Sequence, residues 1–154
     1  MPSAGVVTSL NYPDDYPHNF RDTSTINAIN NCVLKLGFSR FAVFTSRRCG
    51  DCEDLEAPWC SRGAWSRNYT ASCLCDYLEI TDGSEATLMD RSCGYNNVDK
   101  YSPLLFEPPM ITSNSSITIS FKTSGNGTTG RRGGWRALWS AVTPGEIYMY
   151  NMSN

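Results

Sequence analysis

The side chains of this chain that could do chemistry are its cysteines, its one histidine and a short acidic run. Cysteine occurs at Cys32, Cys49, Cys52, Cys60, Cys73, Cys75 and Cys93, all within the first two thirds of the sequence. Cys49-x-x-Cys52 with Cys60 and Cys73 can be written as a four-thiolate zinc site, because zinc accepts tetrahedral thiolate sets. The spacings to the later cysteines do not fit a zinc knuckle. So many cysteines in a small chain point instead to an oxidising compartment, where disulfides persist. A redox role for Cys49-x-x-Cys52 would need a helix start in a βαβ setting, and no helical pattern follows it. Disulfides are the expectation.

His18 is the sole histidine. A Ser-His-Asp or Cys-His centre needs that imidazole buried and oriented, but it stands in the proline-rich stretch Tyr16-Pro17-His18-Asn19, which reads as an exposed turn. Asp51, Glu53, Asp54 and Glu56 read as solvated loop charges. The glycine-rich stretch Gly125–Gly134 follows a strand but lacks the Lys-Ser/Thr pair and the helix that a phosphate loop requires. No catalytic centre is expected. The formal net charge is −2 with no basic stripe, which argues against a nucleic-acid partner. No apolar run approaches the roughly 18 residues needed to span a membrane as a helix.

At 154 residues the chain fits one domain with a core of its own. Its 40% hydrophobic, 12% aromatic and 18% charged residues are those of a folded protein. Sequons for N-glycosylation stand at Asn68, Asn114, Asn126 and Asn151, and together with the cysteines they place the chain outside the cell. Met1-Pro-Ser-Ala-Gly5 has neither the charged start nor the apolar stretch of a signal peptide. The chain is read as part of a longer secreted or membrane-anchored protein.

The elements that must position any site are strands. Ser116–Phe121 alternates polar and apolar residues over its length, the pattern of a half-buried strand. Cys32, Leu34, Leu36 and Phe38 share one face of a second strand. Tyr77–Ile80 is a third, ended by the turn signal Thr81-Asp82-Gly83. Trp135–Val142 is a fourth, with Trp135 and Trp139 on one side as packing residues. Strands separated by Gly, Pro and Asn turns, without helical periodicity, predict an all-β sandwich or barrel. Residues 47–72 lack strand alternation and read as a long loop insertion, which is rare unless functional or cross-linked. Cys49, Cys52 and Cys60 would staple it, and Cys75, two residues after Cys73, could tie its base. Trp59 and Trp65 lie inside it, either as a local core or as anchors for a partner. The cysteine count is odd, so at least one thiol is left over. Cys32, beside Leu34 and Leu36, is expected to be that thiol, buried and inert.

Four segments, in order, resemble the CUB domain family. Gly5-Val6-Val7-Thr8-Ser9-Leu10-Asn11-Tyr12-Pro13 with Tyr16-Pro17-His18-Asn19 is similar to its opening motif, and Leu34–Phe41 to its "I-x-L-x-F-x-x-F" strand. Cys73-Leu74-Cys75-Asp76-Tyr77-Leu78-Glu79-Ile80-Thr81-Asp82-Gly83 followed by Cys93-Gly94 resembles "C-x-Y-D-Y-L-E-I-x-D-G…C-G". Ile117–Phe121 and Gly134–Trp139 resemble the closing strands. The resemblance implies an antiparallel jelly-roll β-sandwich over residues 5–143, with 144–154 as a tail. It also implies a disulfide between Cys73 and Cys93, and a module of extracellular proteins that mediates protein–protein contacts.

The departures are specific. The position of a second-strand cysteine is taken by Asp22, and the stretch between Phe41 and Cys73 is far longer than usual. Many members bind calcium through a Glu, the Asp of "Y-D-Y" and a later Asp. Here those positions are Phe44, Asp76 and Ser124, so Asp76 is the one surviving calcium candidate; Asp51, Glu53 or Asp54 could substitute only by folding back from the insertion, and no cofactor is expected. The function expected is a non-catalytic recognition module that binds a protein ligand or orients neighbouring domains. Its rivals are an accessory domain of an extracellular protease and a carbohydrate-binding sandwich.

Overall fold

The structure, a computed structural model, describes residues 4–29, 31–44, 73, 75–95, 108–125 and 133–143. Among the described residues all regular structure is β-strand: β1 (Ala4–Thr8), β2 (Arg21–Asn27), β3 (Val33–Val43), β4 (Tyr77–Asp82), β5 (Thr87–Ser92), β6 (Gly94–Tyr95), β7 (Ile111–Ser113), β8 (Ser116–Lys122) and β9 (Gly134–Val142). One sheet has the order β1-β9-β3-β6, with β7 also paired to β3, and the other has the order β2-β8-β4-β5. Every pairing is antiparallel. The two sheets face each other across one core, as an antiparallel jelly-roll sandwich.

The core follows from strand alternation, since side chains two apart share a face. In β8, Ile117, Ile119 and Phe121 are buried, and in β4 Leu78 and Ile80 meet them. From the other sheet come Leu34, Leu36, Phe41 and Val43 of β3, with Trp135 and Ala137 of β9. Phe121 stands edge-on to both Tyr16 and Trp135, at centroid distances of 4.9 and 6.0 Å, the geometry that the charge distribution of aromatic rings favours.

The strands read from the sequence around Leu34–Phe38, Tyr77–Ile80, Ser116–Phe121 and Trp135–Val142 are all present. The second of the β3 faces differs from simple alternation. The inward positions are even-numbered at Leu34 and Leu36 but odd-numbered at Phe41 and Val43. A register shift between Phe38 and Arg40 makes the change, as an extra residue in one strand must. The Arg136 guanidinium donates to the Ser39 hydroxyl there at 2.9 Å. Cys32 precedes β3 instead of sharing its buried face. Its amide donates to the Ile29 carbonyl at 3.1 Å, and the residue is half-buried.

Trp135 and Trp139 project inward from β9, Trp135 buried and Trp139 packed at the rim of the core. Gly5 is the register partner of Trp139. A Cβ on Gly5 would lie 2.5 Å from the Trp139 indole nitrogen, so the ring covers the strand only because glycine is there. Cys49, Cys52, Cys60, Trp59, Trp65, Asn68, Asn126, Asn151, the acidic run and the tail 144–154 lie outside the described residues.

Candidate functional site

β3, β8 and the start of β4 converge at one pole of the sandwich, and the connection from β1 to β2 crosses the same pole. Asp76 sits there, 1% exposed, immediately before β4. Its Oδ2 accepts the Tyr16 hydroxyl at 2.6 Å. Its Oδ1 accepts the Ser124 amide at 2.8 Å and the Ser124 hydroxyl at 3.2 Å. The Tyr16 oxygen in turn accepts the Phe44 amide at 2.9 Å, which directs its own proton at the carboxylate. A buried charge is tolerable only when hydrogen-bonded in this way. Four chain segments far apart in sequence are thereby clasped around one carboxylate.

The segment that delivers Tyr16 is itself stitched to the end of β8. The Thr123 hydroxyl donates to the Pro17 carbonyl at 2.8 Å and accepts the Phe20 amide at 2.9 Å. The Asn19 amide donates to the Ser124 carbonyl at 3.2 Å, and His18 Nδ1 lies 3.3 Å from the same oxygen. His18 is exposed, as the turn reading requires. Gly125 permits the approach, because a Cβ there would lie 2.6 Å from the Asn19 amide group. Sequence reasoning singled out Asp76, Phe44 and Ser124 but gave Tyr16 no task. A buried tyrosine 60 residues from its partner leaves no local signal.

Cys73 and Cys93 are joined by a disulfide with a Cα–Cα distance of 5.6 Å, the pair that the resemblance implies. It ties the entry to β4 to the end of the β4–β5 hairpin. Cys75, 1% exposed, is also disulfide-bonded, and its partner lies outside the described residues. Cys32 is a free thiol. The expectation that burial would hide it is corrected by its half-exposed position before β3, off the Leu34 and Leu36 face. Asn114 is exposed in the turn between β7 and β8, at the opposite pole from Asp76.

No protein-family model matches the chain, and no curated protein does. Solved structures do. The chain aligns with the CUB1-EGF-CUB2 segment of human MASP-1/3 at a TM-score of 0.61 and 21% identity, over 96% of this chain and 44% of that one. It aligns with the MASP-1 CUB2 domain bound to Ca2+ at 0.52 and 23%, over 91% of this chain and 94% of that one. It also aligns with the full extracellular region of zebrafish Gpr126/Adgrg6 at 0.57 and 18%, over 92% of this chain and 14% of that one.

The fold is that of a CUB domain. The chain spans less than half of the MASP-1/3 segment and about a seventh of the Gpr126/Adgrg6 region. CUB domains that hold calcium, as the MASP-1 neighbour does, must surround it with oxygens, about six to eight of them and usually several carboxylates. The described residues at this pole do not by themselves make such a shell. Among the described residues no three His, Cys, Asp or Glu side chains cluster. Among the described residues the buried carboxylate is Asp76, which faces the hydrogens of two hydroxyls and an amide, groups that present positive charge where a cation would have to sit.

Proposed function

We propose that this CUB-fold chain is a non-catalytic recognition module of extracellular proteins, binding a protein partner through the loops at the Asp76 pole. The observation that carries the reading is the polarity of the sandwich. At the Asp76 pole β3 and β8 end and β4 and β9 begin, and these strand ends are locked by the buried clasp. Loops on a rigid scaffold are where binding residues concentrate. At the opposite pole lie the start of β1 and the end of β9. A glycan on Asn114 would stand at that same far pole. The extracellular setting is supported by the disulfides and by the likeness to an extracellular region, that of Gpr126/Adgrg6.

The test is a binding screen with the glycosylated domain from a secretory host, run in parallel on an array of extracellular protein domains and on a glycan array. Saturable binding to a protein is expected. It should survive Thr112→Arg on exposed β7 and fail when the loop after Gly125 is replaced by a glycine-serine linker. Binding confined to glycans, or no saturable protein binding at all, overturns the reading.

A further inference from the structure

A CUB neighbour holds calcium, and the described residues around Asp76 do not fit that ion. We infer that the Tyr16–Asp76–Ser124 clasp replaces the metal, so that the end of β3, the end of β8 and the start of β4 are held together without calcium. The argument is one of geometry and charge. A cation at this pole would draw several segments together by having each supply an oxygen ligand. Here the charge is inverted. A single anion, Asp76, sits at the centre and each segment supplies a hydrogen-bond donor: the Tyr16 hydroxyl at 2.6 Å, the Ser124 amide at 2.8 Å and the Ser124 hydroxyl at 3.2 Å. Phe44 joins through its amide to the Tyr16 oxygen at 2.9 Å. Its side chain brings no oxygen.

The substitutions are mutually consistent. Where a carboxylate would serve a cation, Phe44 and Ser124 carry no negative charge, and Asp76 is the buried carboxylate among the described residues of the pole. Donors must then converge on it, because an uncompensated buried charge is strongly destabilising. Tyr16 is the positioning residue of the arrangement: it links Asp76 to the end of β3 and packs its ring edge-on against Phe121 at 4.9 Å. The inference stands apart from the identity of any partner and concerns only what holds the pole together.

The experiment is thermal unfolding of the intact domain in millimolar calcium and in excess chelator, for the native chain and for Tyr16→Phe, Ser124→Ala and Asp76→Asn. Terbium, a luminescent stand-in for calcium, serves as a second probe, read by emission sensitised from nearby aromatic rings. The midpoint of the native chain is expected to be the same in calcium and chelator, with no saturable terbium emission. Tyr16→Phe should lower the midpoint by several degrees, equally in both buffers, and Asp76→Asn by more. Should Asp76→Asn fail to fold, Tyr16→Phe and Ser124→Ala still decide the matter, because each removes a donor and leaves the chain nearly isosteric. A saturable calcium-dependent rise in the native midpoint overturns the inference. So does a Tyr16→Phe variant as stable as the native chain.

Discussion

The backbone amide of Trp135 donates to the hydroxyl oxygen of Ser9 at 3.0 Å, across 126 residues of sequence. The Ser9 amide donates back to the Trp135 carbonyl at 3.0 Å. The pair welds the end of β1 to the start of β9, with Ser9 buried at 2% exposure. Gly134 makes room for it. Its φ is +88°, and a Cβ there would collide with the Ser9 hydroxyl oxygen. Gly134→Ala must therefore bear both a left-handed backbone and a clash, and is expected to cost at least about 2 kcal/mol. Ser9→Ala leaves the Trp135 amide without its hydroxyl acceptor and should cost about 1–3 kcal/mol. Chemical denaturation measures both, and a Gly134→Ala variant of native stability would remove the steric account.

The disulfide between Cys73 and Cys93 closes a loop of sequence separation 20. Cross-linking of that span restrains the unfolded chain, by about 3 kcal/mol in the chain-entropy treatment. The double variant Cys73→Ala/Cys93→Ala is expected to lose that much in a denaturant titration. Non-reducing peptide mapping should recover the Cys73–Cys93 pair. A peptide joining Cys73 to Cys49 or Cys60 instead would contradict it.

Cys32 should react in the folded protein. It is half-buried outside β3 and its sulfur is not in a disulfide. Brief treatment of native protein with a small alkylating reagent, followed by digestion and mass spectrometry, is expected to label the peptide that holds Cys32. A thiol silent until denaturant is added would show that the region before β3 is better covered than the structure has it.

Asp82 gives the domain an acid limb. Its carboxylate accepts the Ser84 hydroxyl and amide at 2.8 Å each and the Ala86 amide at 3.0 Å. The Ser84 hydroxyl is the largest of the effects that hold its pKa below the ordinary value of 3.8. The unfolded chain therefore takes up this proton before the folded one does. The contribution of Asp82 to stability is complete above the ordinary value and declines as pH falls through the lowered one. Asp82→Asn is expected to lose stability at neutral pH and to flatten the dependence below pH 3.8. Unfolding curves for both proteins across that range check it, and parallel curves would show the turn does not depend on the charge.

How far the fold was legible depended on which strands bury clean alternation. β8 could be read because Ile117, Ile119 and Phe121 point inward and Thr118 and Ser120 outward. β2 could not, because its inward positions Asp22 and Ser24 are polar and only Ile26 is buried. β3 was read for its first half only. The register shift beyond Phe38 moves the buried set to Phe41 and Val43, and an added residue has no marker in composition. β9 hid a different feature: Leu138, 43% exposed, faces out opposite Val6 and lines one pocket with Met110. At the site, the likeness of Asp76 and its flanks to family motifs marked the right positions. The donors that occupy them come from Tyr16 and from backbone amides, which only the assembled sandwich brings together.

The pairing of β1 with β9 sets how the domain answers a pull. Ala4 lies opposite Ser140, and Thr8 opposite Arg136. Chain on either side of the described strands therefore meets the sandwich at one edge of the same ladder. Antiparallel hydrogen bonds run across the strands, so tension applied at Ala4 and Val142 pulls along them and loads the terminal bond first. The strands would peel open like a zipper, one rung after another, until the Ser9–Trp135 weld is reached. Under such tension the start of β1 would yield before the clasp around Asp76 is disturbed.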